Sequence, residues 1–201
     1  GLFRQKYPEV SVQLQIHSTR RTGWSVANGQ IDIAIIGGQL PLELNESLQV
    51  IPFATDELAL VLPTNHKLAN SKELKKEDLY SLEFITLDPQ STTRKVVDKL
   101  LSSSGLDVQR LNIEMELNSL EAIKNAVQAG LGAAFLPVVS IERELLGGSI
   151  HRPVVADLEV KRELKVITNP GRYSSRAAEA FTKDILPLFA SSFSPLFNSQ
   201  N

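Results

Sequence analysis

The stretch from Asn118 to Pro137 constrains the fold of this chain more than any other, because it predicts a helix followed directly by a strand. The apolar residues that recur at helical spacing are Leu120, Ile123, Val127 and Leu131. Asn118 or Ser119 can cap the start of this helix with a side-chain oxygen, and Gly130 can supply the left-handed residue that ends it. Residues 132–137 form a short apolar run typical of a buried strand.

A further strand is predicted immediately upstream of this helix, since apolar and polar residues alternate over 112–117. The helix therefore begins at the carboxyl end of a strand. Its first turn exposes unpaired N–H groups and partial positive charge, which suit a small anion. Two interpretations stay open: Asn118 and Ser119 bind an anion, or they only cap the helix.

A second polar helix start follows the predicted strand over 83–88 and contains Ser91, Thr92, Thr93 and Arg94. Hydroxyls and guanidinium groups bind carboxylates and phosphates well, the guanidinium through two parallel hydrogen bonds. The alternative is a capped helix with a surface arginine. Two such starts in one part of the chain favour the ligand-binding interpretation over simple capping.

The order of the remaining elements predicts an α/β protein with two lobes. The other predicted strands are 10–16, 31–36 (buried and parallel), 48–53, 57–62, 150–155 and 164–168. The other predicted helices are 1–7, 22–28, 138–146 and one capped by Ser174, with a charged loop or solvated helix face over 65–78 and a polar tail beyond 191. The α/β order restarts near residue 83, which places crossings between the lobes near 55–60 and 160–166.

Several segments resemble the effector-binding domain of LysR-type transcriptional regulators. They are LFRQKYPEV at 2–10, NGQIDIAI at 28–35, LVLPTNHKLA at 60–69 and the 118–137 stretch with its Glu-Ala-Ile, Gly-x-Gly and Leu-Pro elements. Within that family, Thr93-Arg94 and the polar tail are similar to regulators of carbon fixation and inorganic-carbon uptake. The resemblance covers nearly the whole chain.

The resemblance implies two Rossmann-like lobes with two crossover segments, the type 2 periplasmic-binding-protein fold. Subdomain I would comprise 1–56 and 163–201, and subdomain II would comprise 57–162. Both helix starts would face the cleft between the lobes. The loop after the second strand would add His17, Thr19 and Arg20 to the ligand-binding candidates. Gly37 and Phe135 are the remaining candidates, and His17 by itself fits a structural histidine better than a ligand. We expect a segment upstream of Gly1 that supplies the first strand and a helix-turn-helix.

Composition excludes several other classes. A net charge of −2 does not favour a surface that neutralises nucleic-acid phosphates, and the absence of cysteine excludes disulfides and fits the cytoplasm. No apolar run is long enough for a membrane span. His17, His66 and His151 lack ligand spacing, so we expect no metal, and we expect no cofactor because the glycines at 130–132 follow a helix rather than a strand.

The function implied by the resemblance is a ligand-sensing and dimerising domain, active as a homodimer or tetramer. Its effector would be a small anionic metabolite, of the 2-oxoglutarate, 2-phosphoglycolate or sugar phosphate class. DNA would be bound only through the upstream helix-turn-helix, and the first helix, around Leu2, Phe3 and Tyr7, would contact the partner subunit. The alternatives are a free-standing solute-binding protein of a transporter and, third, an enzyme, although no nucleophile–base pair can be assembled.

Overall fold

The computed structural model describes residues 2–69 and 71–190. The described residues form two compact units, one made of those up to 55 together with those from 163 onward, and the other made of those between 56 and 162. The helices are α1 (Leu2–Lys6), α2 (Thr19–Ala27), α3 (Thr92–Ser103), α4 (Leu120–Gln128), α5 (Glu142–Leu146), α6 (Arg176–Asp184) and α7 (Leu186–Ala190). The strands are β1 (Ala34–Ile36), β2 (Gln49–Pro63), β3 (Glu73–Leu74), β4 (Glu83–Leu87), β5 (Asn112–Leu117), β6 (Ala134–Pro137), β7 (Ile150–His151), β8 (Val154–Val155) and β9 (Lys161–Thr168).

The first unit is built around α2 and an antiparallel pair of strands, β1 and β9, in which Ile35 lies opposite Val166. The side chains that form its core are Val26, Ile36, Leu44, Leu48 and Ile167. The α1 helix packs on α6, where the Phe3 and Phe181 rings meet edge to face at 5.2 Å. The unit therefore buries the apolar faces of short elements against one another.

The second unit contains a parallel pair, β4 and β5, in which each strand is followed by a helix. The β6 strand pairs antiparallel with β2 and is tied to β4 through backbone hydrogen bonds between Ala133 and the flanking Glu83 and Ile85. Successive residues of β2 and β6 point to opposite faces, so each face has its own core. One face carries Leu58, Leu60 and Phe84, and the other carries Val61, Leu136 and Ile123 from α4.

The strand predicted over 10–16 is wrong. The segment forms no strand, and its apolar side chains are exposed, Leu14 by 86% and Ile16 by 87%. Alternation predicts a strand only where another strand completes the hydrogen-bond ladder, and no described residue pairs with this segment. The strand predicted over 31–36 is shorter than expected, since β1 begins at Ala34, and it pairs antiparallel rather than parallel.

Other predicted boundaries also change. The runs 48–53 and 57–62 form one continuous strand, β2, and Leu131 lies beyond the end of α4, where it is 50% exposed. The helix predicted over 138–146 is divided into a 3-10 turn and α5, and 150–155 is divided into β7 and β8. Ser175 rather than Ser174 caps α6, while the predicted tail beyond 191 lies outside the described residues.

Within the described ranges, no helix combines the length and apolar character that crossing a lipid bilayer requires.

Candidate anion-binding site

Two helices of the second unit begin side by side at one edge of the β4–β5 pair. Leu87 and Leu117 lie opposite each other at the ends of the two strands, and the Asp88 N–H donates to the Leu117 carbonyl over 3.2 Å. The α3 helix starts five residues after β4 and α4 starts three residues after β5. The positive ends of both helix dipoles therefore lie at this edge, where they favour negative charge.

The two serines at this edge cap their helices, as the sequence predicts. The Ser91 hydroxyl accepts a hydrogen bond from the Arg94 N–H, and the Ser119 hydroxyl accepts one from the Ala122 N–H, each over 3.5 Å. Both bonds are long, so each satisfies its N–H only weakly. Asn118 is exposed immediately before the Ser119 cap.

Arg94 lies at this edge, but acidic and polar groups of the same unit surround its guanidinium. Its Nε donates to both carboxylate oxygens of Asp98 at 2.8 Å, and Glu116 lies 3.9 Å from Nη1. Nη1 also donates to the Thr86 hydroxyl and to the Leu87 carbonyl. These contacts occupy Nε and Nη1 and offset much of the positive charge, and a direct role of Arg94 as a ligand stays a prediction.

Arg162, a residue that sequence analysis missed, reaches the first turn of α3. Its Nη1 donates to the Thr93 hydroxyl over 2.9 Å. Its Nε donates to Asp56 Oδ2 over 2.8 Å, and Nη2 lies 2.7 Å from the same oxygen. No signal in the sequence identifies it, because it stands in the mixed-charge run Lys161-Arg162-Glu163 like an ordinary surface residue.

Asp56 is the most buried charged group described at this site, with 2% of its surface exposed. Only its Oδ2 oxygen is paired, since Oδ1 is buried without a hydrogen-bond partner. Burial raises the pKa of the Asp56 carboxyl above its usual value, and the charge of Arg162 opposes that shift. A buried carboxylate with one unpaired oxygen is costly, which indicates a role other than maximal stability.

The remaining predicted ligand residues are distributed over both units. Phe135 stacks on Phe84, with ring centroids 6.0 Å apart, and is part of the core of the second unit. His17, Thr19, Arg20 and Gly37 belong to the first unit. Thr19 is buried in the first turn of α2, which Ser18 caps. The loop predicted to hold His17, Thr19 and Arg20 is therefore mainly the start of a helix, which begins at Thr19 rather than at residue 22.

A cavity of about 520 Å³ in the second unit is unsuited to an anion. Its acidic lining residues are Glu57, Glu73, Asp157 and Glu159, against the single cation Arg152, which pairs with Glu57. A second cavity of about 30 Å³ lies beneath α3 and is lined in part by Thr93 and Arg94. Among the described residues, no group of three or more histidine and acidic side chains could hold a metal ion.

Comparisons with known proteins place this chain in a family. A model of the LysR substrate binding domain matches residues 1–188. Probable RuBisCO transcriptional regulators of Synechocystis sp. (strain ATCC 27184 / PCC 6803 / Kazusa) and Trichormus variabilis (strain ATCC 29413 / PCC 7937) are 59% and 60% identical over 190 residues. The match covers 94% of this chain and 55% and 56% of those proteins, so the chain spans about half the length of the curated relatives it matches.

Solved structures confirm the predicted fold class. The regulatory domain of CcmR from Synechocystis PCC6803, in complex with 2-PG, has a TM-score of 0.78 and 24% identity, over 97% of this chain and 89% of that one. The cofactor-binding domain of the Cbl transcriptional regulator has a TM-score of 0.76 and 23% identity, over 96% and 80%. The predicted resemblance is also confirmed, and the chain belongs to the LysR substrate binding domain family.

Proposed function

We propose that this chain is the effector-binding domain of a LysR-type transcriptional regulator and that a small anionic metabolite binds where α3 and α4 begin. One observation carries the proposal: the Thr93 hydroxyl, in the first turn of α3, lies within hydrogen-bond distance of the Arg162 guanidinium. Hydroxyls, unpaired N–H groups and a guanidinium together form the usual set of ligands for a carboxylate or phosphate.

The proposed effector belongs to the 2-phosphoglycolate, 2-oxoglutarate or sugar phosphate class. The CcmR regulatory domain, which shares this fold, is in complex with 2-PG, and the relatives of more than half identity are named as probable RuBisCO transcriptional regulators. The proposed ligand residues are Ser91, Thr92, Thr93, Arg94, Asn118, Ser119 and Phe135 in the second unit, and His17, Thr19, Arg20 and Gly37 in the first. Because the two helix starts share one edge, one doubly charged molecule could contact both.

In the full-length protein, effector binding would change the affinity for operator DNA of genes for carbon assimilation. Residues 1–56 with 163–201 and residues 57–162 would serve as regulatory subdomains I and II. The protein would act in the cytoplasm as a homodimer or tetramer and would reach DNA through a helix-turn-helix outside this chain. We propose no catalytic step, since the named relatives are transcriptional regulators.

A thermal-shift panel tests this proposal. The chain is melted with 2-phosphoglycolate, 2-oxoglutarate and ribulose bisphosphate. Two controls are melted beside them: glycolate, which lacks a second anionic group, and glycerol, which carries no charge. At a hundredfold excess over the dissociation constant, binding adds about 2.7 kcal/mol, which raises the melting temperature of a chain of this size by roughly 5–10 °C. Equal melting temperatures with every anion and both controls would contradict the proposal.

A further inference from the structure

The cation that an anionic effector needs at α3 can be identified from the contacts of the two arginines there. Arg94 is paired with Asp98 through both carboxylate oxygens and is close to a second acid, Glu116. Its charge is therefore largely neutralised. Arg162 faces one carboxylate, Asp56, and uses only the Oδ2 oxygen of it. The balance of charge at this edge favours Arg162 as the partner of a bound anion.

The donors of Arg162 are compatible with this assignment. A guanidinium carries five N–H groups in a planar fork, whereas Asp56 Oδ2 and the Thr93 hydroxyl are its described acceptors. A hydroxyl that accepts a hydrogen bond keeps its own proton for donation. Thr93 can thus donate to an anion while Arg162 holds its oxygen. The exposed fractions of the Arg162 and Arg94 side chains, 13% and 14%, are nearly equal, so the number of neighbouring carboxylates is what distinguishes the two arginines.

Asp56 fixes where Arg162 points. The two residues are on neighbouring strand segments, since the Leu58 N–H donates to the Val160 carbonyl over 2.8 Å, and Asp56 and Arg162 each lie two residues beyond that bond. Asp56 is almost fully buried, so it cannot follow the guanidinium toward solvent. When a long side chain is already ordered before the ligand arrives, less conformational entropy is lost on binding.

We infer that Arg162 is the cation that pairs with the anionic group of the effector at the first turn of α3, and that Asp56 is a positioning residue that orients Arg162. This inference rests on the proposed function, because it names the residue pair that would recognise the anion. Asp56 acts through Arg162 and does not touch the ligand.

The test uses the 201-residue chain, with 2-phosphoglycolate as the probe and calorimetry as the readout. Replacing both members in Asp56→Asn/Arg162→Gln removes the cation without leaving a buried unpaired charge, so the fold is kept. We expect binding to be at least about thirtyfold weaker, because one or two charge-assisted hydrogen bonds to the anion are lost. Arg152→Gln is the matched control, because it removes a partly buried arginine paired with Glu57, the next residue of β2. It should bind as the wild type does.

The role of Asp56 is separated from mere stability by a double-mutant cycle. Asp56→Asn alone should weaken binding about three- to tenfold, because the long Arg162 side chain must then be ordered when the anion binds. The same change made in Arg162→Gln should not weaken binding further, because no guanidinium is left to orient. An equal loss in both backgrounds would overturn the positioning role of Asp56.

Nuclear magnetic resonance reports on binding to the wild-type chain itself and uses a variant only for assignment. The Nε–H signal of Arg162 is assigned as the one absent from Arg162→Lys, and it should shift when 2-phosphoglycolate is added to the wild-type chain. An unmoved signal at saturation, or wild-type affinity in Asp56→Asn/Arg162→Gln, would overturn the inference while the proposed function stood. Absence of binding by the wild-type chain to every anion tested would overturn both.

Discussion

Arg162 Nη1 donates a hydrogen bond to Thr93 Oγ1 over 2.9 Å and joins residues 69 positions apart in the sequence. The bond connects the last residue of the second unit to the first turn of α3. Arg162 also donates a hydrogen bond to Asp56, the first residue of that unit. A ligand that replaces this hydrogen bond would therefore change the contacts of Arg162, the residue at which the chain leaves the unit.

The first prediction concerns the stability of this buried pair. Arg162→Gln leaves the Asp56 carboxylate buried without its cation, so we expect the free energy of unfolding at pH 7 to fall by about 3–5 kcal/mol. Adding Asp56→Asn to that variant should restore part of the loss. Urea unfolding of the wild type and both variants measures the difference, and a double variant no more stable than Arg162→Gln would contradict the expectation.

The same variant should show a pH dependence of a definite sign. Burial already raises the pKa of Asp56, and without Arg162 the opposing effect is removed. A carboxyl whose folded pKa lies above its unfolded value stabilises the fold at low pH and loses that contribution as the pH rises through the folded pKa. Arg162→Gln should therefore be closer to the wild type in stability at pH 5 than at pH 7.5. A difference in the free energy of unfolding that is larger at pH 5 than at pH 7.5 would refute this.

His66 should produce the opposite dependence in the wild type. Its Nδ1 accepts a hydrogen bond from the Leu68 N–H over 3.2 Å, so the ring must be unprotonated at that nitrogen. Desolvation, with a smaller effect of the Lys67 charge, lowers the pKa of His66. The contribution of His66 to stability is present above its unfolded pKa of about 6.5 and is lost as the pH falls through its folded pKa. His66→Asn keeps an acceptor that does not titrate, so its stability relative to the wild type should improve between pH 7.5 and pH 5 in urea titrations.

Gly132 is required by a close approach of two backbones. A Cβ atom there would lie 2.6 Å from the Glu83 carbonyl oxygen, which accepts the Ala133 N–H over 2.7 Å and cannot move away. We expect Gly132→Ala to lower the free energy of unfolding by about 3 kcal/mol. Gly130→Ala is the matched control, because a Cβ there meets no heavy atom within 4 Å. Its cost should be about 1 kcal/mol, from the left-handed backbone alone.

Much of the candidate site can be predicted from the sequence, because caps and helix periodicity are local signals. Ser91 and Ser119 cap α3 and α4, and Ile123 and Val127 are buried as their spacing predicts. Arg162 cannot be found this way, since its partners Asp56 and Thr93 are distant in sequence and the pairing depends on how β2 and β9 meet. The strand predicted over 10–16 is wrong for a related reason. A strand needs a neighbouring strand to pair with, and the alternation of apolar and polar residues does not show whether one is present.

The measurement that addresses anion recognition at α3 most directly is a calorimetric titration of 2-phosphoglycolate into the wild-type chain, Thr93→Val and Thr64→Val. Thr93→Val removes the hydroxyl that accepts from Arg162 while keeping the shape of the side chain. Thr64→Val makes the same change at an exposed turn of the same unit. We expect binding by the wild type and by Thr64→Val with equal affinity, and about tenfold weaker binding by Thr93→Val. Equal affinity in all three would show that the anion binds elsewhere, and absence of binding by the wild type would show that this anion is not recognised.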